Sequence, residues 1–371
     1  MELLIEKSLL LKNLQIVSKA IPARSTLPIL GCALFSQKNN TLNIRTTDLE
    51  IAISVSCEVE GKVDGCIAVP ISKLLEITNA MPSGNMKIST SDIGKLSIDC
   101  QHGQYTIMGQ PQDEFPSEIN IEETQNLEIN STELKNIINN TMYAASKDDL
   151  KPVLQGVLFN IGEKGLTSVA TDGHRLVKFE QEGLKETGFQ GSVVVPTKYL
   201  KLLYNYLESD KRVNLQISDN HINVELQKGN ITSRIIKDPF PDYESVIPKD
   251  NTNILIVDKT IFTDAIKRVA IFSNKASKQV SLSISDNELL ITTEDSENIT
   301  SGKEKLECTY EGEPMSIGYN ATYLSEVLQH QSSEEVKILL KSPLNAGLFL
   351  PVDKNKGENK TTLLMPIRLN E

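Results

Sequence analysis

The sequence predicts an α+β chain of three similar domains, each a duplicated unit of one strand, one helix and several antiparallel strands. Three observations predict it. Strand-to-helix openings recur 124 and 127 residues apart, marked by Ile5, Ile129 and Ile256. A second strand-to-helix junction recurs inside each repeat, and 371 residues exceed the ~250 to 300 that one core sustains.

The openings are LLIEKSLLLKNLQIVSKA from Leu3, LEINSTELKNIINNTMYAAS from Leu127 and ILIVDKTIFTDAIKRVAIFS from Ile254. Each is a short alternating strand, a polar residue fit to start a helix, then apolar residues at helical spacing. The second junctions are CIAVPISKLLEI at 66–77, SVVVPTKYLKLL at 192–203 and MSIGYNATYLSEVL at 315–328. Pro70 and Pro196 stand where a helix begins and a missing N–H costs nothing. The remaining segments alternate apolar and polar residues and are punctuated by Asn, Asp and Gly, the pattern of antiparallel strands joined by tight turns. Two Pro-marked joints, at Phe115-Pro116 and Phe240-Pro241, divide the chain into domains 1–122, 123–249 and 250–371.

Composition narrows the function classes. No run approaches the ~18 consecutive apolar residues of a membrane span, and Glu2 and Glu6 sit where a secretory leader needs bare positive charge. The expectation is a cytoplasmic protein with no membrane partner. Five cysteines without a CxxC pair, and four histidines without metal spacing, predict reduced thiols, no metal and no cofactor. The net charge is −11, yet the six expected helices, 8–20, 71–81, 131–146, 197–208, 259–273 and 320–331, carry +4 and leave −15 elsewhere. If those helices share one face, that face is basic in an acidic protein.

The stretch ATDGHRL, 170–176, sets Asp172, Gly173, His174 and Arg175 side by side. Its Asp172 recurs as Asp48 and Asp295, 124 and 123 residues away, so it reads first as an Asx-type turn at a strand end. Only the middle repeat adds Gly173, His174 and Arg175, which suggests a site grafted onto a scaffold turn. A rival reading makes Asp172 and His174 the carboxylate and base of a hydrolase, but no nucleophile and no nucleotide-binding or hydrolase motif accompanies them.

ATDGHRL, together with TLPIL at 26–30, FPDY at 240–243 and MPIRL at 365–369, resembles the DNA polymerase III beta subunit family, the bacterial sliding clamps, over essentially the whole chain. The resemblance implies a non-enzymatic homodimer, a head-to-tail ring with helices inside and sheets outside, enclosing double-stranded DNA without regard to sequence. Its DNA-facing side chains would include Lys12, Arg24, Lys73, Lys147, Lys198 and Lys201. The ring joint would set the strand bearing Tyr105 and Ile107 against a helix end with Ile271 and Phe272.

The resemblance also implies a pocket for short linear peptides of the replicative polymerase catalytic subunit, the clamp loader, and repair and translesion polymerases. Carried over by position, it comprises Leu154, Thr171, Gly173, His174, Arg175, Leu176, Pro241, Val246, Leu363, Met365, Pro366, Ile367, Arg368 and Leu369. Their chemistry suits that use: an adaptable apolar floor with His174 and Arg175 as polar anchors. Three departures stand out: Pro152-Val153 where some relatives have aromatics, Ser245 where another pocket arginine can occur, and Asn370-Glu371 beyond the usual terminal Arg-Leu.

Overall fold

The computed structural model describes residues 1–369 apart from 92, 120, 122, 123, 185–187, 227 and 354. Among the described residues are six α-helices: α1 Lys7–Val17, α2 Ile71–Ala80, α3 Ser131–Thr141, α4 Thr197–Tyr204, α5 Lys259–Ala270 and α6 Ala321–Gln329. Each directly follows a strand, as the junction pattern predicts. At α5 and α6 polar caps meet the open N–H groups of the first turn. Asp258 accepts from Ile261 N at 2.7 Å, and Asn320 accepts from Thr322 N and Tyr323 N at 2.9 and 3.3 Å. The helices at 8–20 and 131–146 were expected to be longer. After Val17 and Thr141 the chain tightens into the 3-10 turns Ser18–Ala20 and Met142–Ala144. At the second of these Thr141 Oγ1 bonds back to Ile137 O at 2.7 Å, a contact that competes with helix continuation.

Every strand pairing among the described residues is antiparallel. The chain forms two compact units, Met1–Ser131 with Lys201–Ile235, and Thr132–Leu200 with Ile236–Glu371. The first holds a five-stranded and an eight-stranded sheet, the second a nine-stranded and a four-stranded sheet. Strands of the middle repeat therefore join sheets of both neighbours. In the first unit Gly229–Arg234 pairs with Ile51–Glu58; in the second Arg175–Glu182 pairs with Glu358–Leu364.

Alternation along the strands puts one apolar row into each core. In the third repeat Leu255, Phe262, Ile266, Leu282, Tyr319 and Phe349 are almost wholly withdrawn from solvent, and α5 and α6 pack over them. Sheet edges remain. Gly103–Met108 ends the five-stranded sheet and Thr300–Glu307 ends the four-stranded one. No described helix is long and apolar enough to cross a membrane, and no metal-binding cluster occurs among the described residues.

Candidate functional site

The three recurring aspartates form the same turn. Asp48 Oδ1 accepts from the N–H of Glu50 and Ile51 at 3.0 and 2.7 Å. Asp172 Oδ1 accepts from His174 and Arg175 at 2.9 and 3.0 Å, and Asp295 Oδ1 from Glu297 and Asn298 at 3.1 and 3.4 Å. In the middle copy Thr171 Oγ1 donates to Arg175 O at 2.6 Å and accepts from Gly173 N at 3.1 Å, while Gly173 sits at φ +90°, where a side chain is strained. The Asp172 carboxylate is thus occupied by backbone amides and by Arg175, whose Nε lies 3.2 Å from Oδ2. That geometry leaves the turn as scaffold, not as an acid–base pair.

Arg175, expected as a polar anchor beside His174, lines the cavity there but is largely enclosed. Only 5% of it is accessible. Its guanidinium pairs with Glu326, donates to Tyr143 O at 2.6 Å, and lies 5.3 and 4.8 Å from the ring centres of Tyr143 and Tyr323. It holds the turn against α6 and the segment after α3. A buried cation so engaged is a positioning group, since removing it strands the Glu326 carboxylate. His174 does face solvent; its ring stacks on Tyr323 with centroids 5.8 Å apart. Around them lies a polar cavity of about 380 Å³ lined by Lys147, Lys151, His174, Thr322, Tyr323 and Glu326. Tyr143, Tyr323 and Glu326 escaped the sequence reading. Tyr323 and Glu326 are three apart on one helix face, a signal too common to single out.

Beneath the turn, Leu176 and Leu363 are buried together with Leu158, Val169, Val194 and Leu348, and Phe240, Tyr243 and Val153 pack against them. Leu154, half-buried in the short turn Pro152–Gln155, stands beside this set in sequence, after Val153. Above the floor the exposed apolar rim consists of Val246, 56% accessible, Met365, 43% accessible, and Pro241. Met365 N donates to His174 O at 2.8 Å and ties the C-terminal segment to the turn. Lys178, inside the strand Arg175–Glu182, pairs with Glu180 at 3.2 Å and with Glu244 at 2.8 Å, so it straps the Glu244–Val246 turn to the sheet. Burial lowers its ammonium pKa, but the two carboxylates outweigh that and raise it.

Beyond Pro366 the segment leaves the apolar floor. Ile367 N bonds to Gly318 O at 2.8 Å, and a Cβ on Gly318 would stand 2.6 Å from Ile367 O and 2.8 Å from Leu369 Cδ2, which is why glycine is needed there. Leu369 lies instead at a separate polar cavity with Thr292, Glu294 and Ser301, and Arg368 is exposed. Asn370 and Glu371 are outside the described residues.

The remaining candidates fall into two sets. Lys12, Arg24, Lys73, Lys147, Lys198 and Lys201 are all exposed; Lys73 pairs with Glu76 at 3.0 Å. Tyr105 is exposed on the edge strand Gly103–Met108, but Ile107 is 9% accessible because its side chain faces its own core; Met108, overlooked in the sequence, is the exposed apolar neighbour. Ile271 is 77% accessible just after α5, and Phe272 stands against Gly302 of the other edge strand.

Three family models match in order: the DNA polymerase III beta subunit N-terminal domain over residues 1–120, its central domain over 128–242 and its C-terminal domain over 244–368. The chain is 30% identical to the protein named beta sliding clamp of Vibrio cholerae and 31% identical to that of Caulobacter vibrioides, covering 100% of both chains in each case. Among solved structures it matches the DNA polymerase sliding clamp of Pseudomonas aeruginosa with ligand at a TM-score of 0.92, 28% identity and full coverage of both chains. The griselimycin-bound sliding clamp of Bartonella birtlesii also gives a TM-score of 0.92 at 28% identity, again with 100% of each chain covered.

Proposed function

The chain belongs to the DNA polymerase III beta subunit family and serves as a DNA sliding clamp, and we propose that it does so as a head-to-tail homodimeric ring around duplex DNA. The observation that carries this reading is the ordered match of the three domain models across residues 1–368. Two unpaired sheet edges support the ring. Gly103–Met108 and Thr300–Glu307 belong to different compact units, and an edge strand of this length invites pairing with another chain. Paired between two chains, they make a heterologous contact that closes after two copies of three domains, 1–122, 123–249 and 250–371. The first boundary lies outside the described residues.

Tyr105, Met108, Ile271 and Phe272 would then be covered at the joint, while Ile107 supports the strand from its core side. Ile271→Asp with Phe272→Asp would place unpaired charge there. Sedimentation is expected to show the 41.1 kDa chain alone; a persistent dimer would place the joint elsewhere.

In this reading the basic helix residues face the DNA, the protein acts in the cytoplasm, and it works as a tether that turns nothing over. The groove of Leu176, Leu363, Val246 and Met365 takes apolar side chains of a QLxLF-type peptide from polymerase, clamp loader or repair proteins. His174 and Tyr323 contact its polar atoms. Lys178 acts at one remove by holding the Glu244–Val246 wall. Because Glu244 is half exposed, the strap contributes up to about 1 kcal/mol after solvent screening. Lys178→Glu is expected to weaken a labelled peptide two- to fivefold in fluorescence anisotropy, more at low salt. Glu244→Lys in the same chain is expected to recover most of the loss. An unchanged affinity in the single variant would remove Lys178 from the groove's construction.

A further inference from the structure

The first compact unit holds a cavity of about 310 Å³, at the small end of the ~300 to 1,000 Å³ usual for ligand sites. Its origin lies in the repeat. In the second unit Lys360 pairs with Phe179 across the ladder, and in the first unit Gly229 pairs with Val55, 124 residues before Phe179. Gly229 and Lys360 therefore hold the same place in successive repeats. The same offset places Ile16 where α3 has Asn140, and Lys12 where it has Asn136.

The consequence is visible in the contacts. Lys360 donates to Asn140 Oδ1 at 2.8 Å and to His330 O, lies 5.8 Å from the Tyr143 ring centre, and has its ammonium pushed down to about 7 chiefly by burial. Asn136 donates to Glu358 at 2.8 Å. This polar plug fills the space beside α3. Beside α1 the plug is missing, because glycine replaces the lysine and isoleucine the asparagine.

What remains there is an apolar floor, of which Leu9, Ile16, Leu207 and Leu226 form part, under a charged rim of Lys12, Lys211, Arg212 and Lys228 with Glu208 and Glu225. Two rim cations are already engaged, Lys211 by Glu208 and Arg212 by Glu128. The ammonium groups of Lys12 and Lys228 have no carboxylate within 4.0 Å among the described residues. Asn13, only 3% accessible, also lines the space, and its Nδ2 makes no hydrogen bond. The neighbour Asn13 does have is the Cys57 thiol, whose sulfur is a weak acceptor, so no oxygen meets that amide. A buried donor faced only by sulfur, two cations without a carboxylate partner among the described residues and an apolar floor in one small cavity call for an acceptor headgroup on an apolar body.

We propose that this cavity binds a small amphiphilic anion, an acyl or aryl chain ending in carboxylate or sulfonate, with its headgroup toward Asn13, Lys12 and Lys228. The test uses the full chain and 8-anilinonaphthalene-1-sulfonate as a fluorescent probe. Binding is expected to saturate at one probe per chain, to be displaced by decanoate and not by decanol, and to be unaffected by a saturating QLxLF peptide. Leu226→Trp fills the floor and Lys228→Glu reverses an exposed rim charge; each is expected to weaken the probe at least tenfold while thermal unfolding and peptide binding stay unchanged. If Leu226→Trp fails to fold, the exposed Lys228 variant decides alone. Absence of saturable binding, competition by the peptide, displacement by decanol as readily as by decanoate, or an unchanged affinity in Lys228→Glu would overturn the proposal.

Discussion

Loaded onto closed circular DNA, the protein is expected to stay bound through a rise in salt that strips ordinary phosphate binders, and to leave once the circle is cut. The physical argument is one of charge. The six helical segments read from the sequence carry only +4 inside a chain of −11, whereas each phosphate contact adds about −0.9 to the slope of log affinity against log salt. A protein holding DNA by ~6 to 10 such contacts loses ~10³ to 10⁵ in affinity between ~50 and ~200 mM salt. Retention by enclosure loses almost nothing until the ring opens. Neutralising Lys12, Arg24 and Lys198 is expected to slow loading or change sliding, with little effect on persistence on the circle. Gel filtration of loaded plasmid before and after linearisation, at two salt concentrations, reads the difference. Equal co-elution with linear and circular DNA, or loss from both as salt rises, would mean binding by contact and defeat the ring.

Deleting residues 365–371 is expected to abolish binding of a QLxLF-type peptide while leaving the chain folded. Met365 is part of the exposed apolar rim of the groove and its N–H anchors the segment to His174 O. Burying one such side chain contributes about 1.5 to 3 kcal/mol, so losing Met365 alone costs about one to two orders of magnitude in affinity. Losing the bond to the turn also frees His174 to move. Ile367 and Leu369 pack on Gly318, away from the floor, so a truncation that keeps Met365 and Pro366 should retain most of the affinity. Anisotropy titrations of the two truncations separate these effects, and equal losses would move the groove toward the far end of the segment.

The repeat made much of this legible. A single offset near 124 residues predicted the strand-to-helix junctions, and the Asx turns of Asp48, Asp172 and Asp295 all form, because their bonds reach only two or three residues along the chain. Long-range partners were a different matter. Arg175 reads in sequence as a polar anchor, and nothing near it says that Glu326, 151 residues on, and two tyrosine rings will enclose it. Lys178 gave no signal for the same reason, its strap to Glu244 spanning 66 residues. Ile107, named with Tyr105 by the resemblance and on the same strand face, is 9% accessible, a difference in burial that strand alternation does not foretell.

The cross-repeat ladders also separate the unit of sequence from the unit of folding. Residues 123–249 form one repeat by pattern, but two of their strands find partners outside it: Gly229–Arg234 completes its ladder on Ile51–Glu58, and Arg175–Glu182 on Glu358–Leu364. A middle repeat expressed alone would expose two long unpaired edges, the kind of surface that drives strands to aggregate. Its stability is on loan from both neighbours. Cooperativity in this chain should therefore run across the repeat boundaries, so that melting one outer repeat unzips half of the middle one, and recombination between relatives is best tolerated where no ladder is cut.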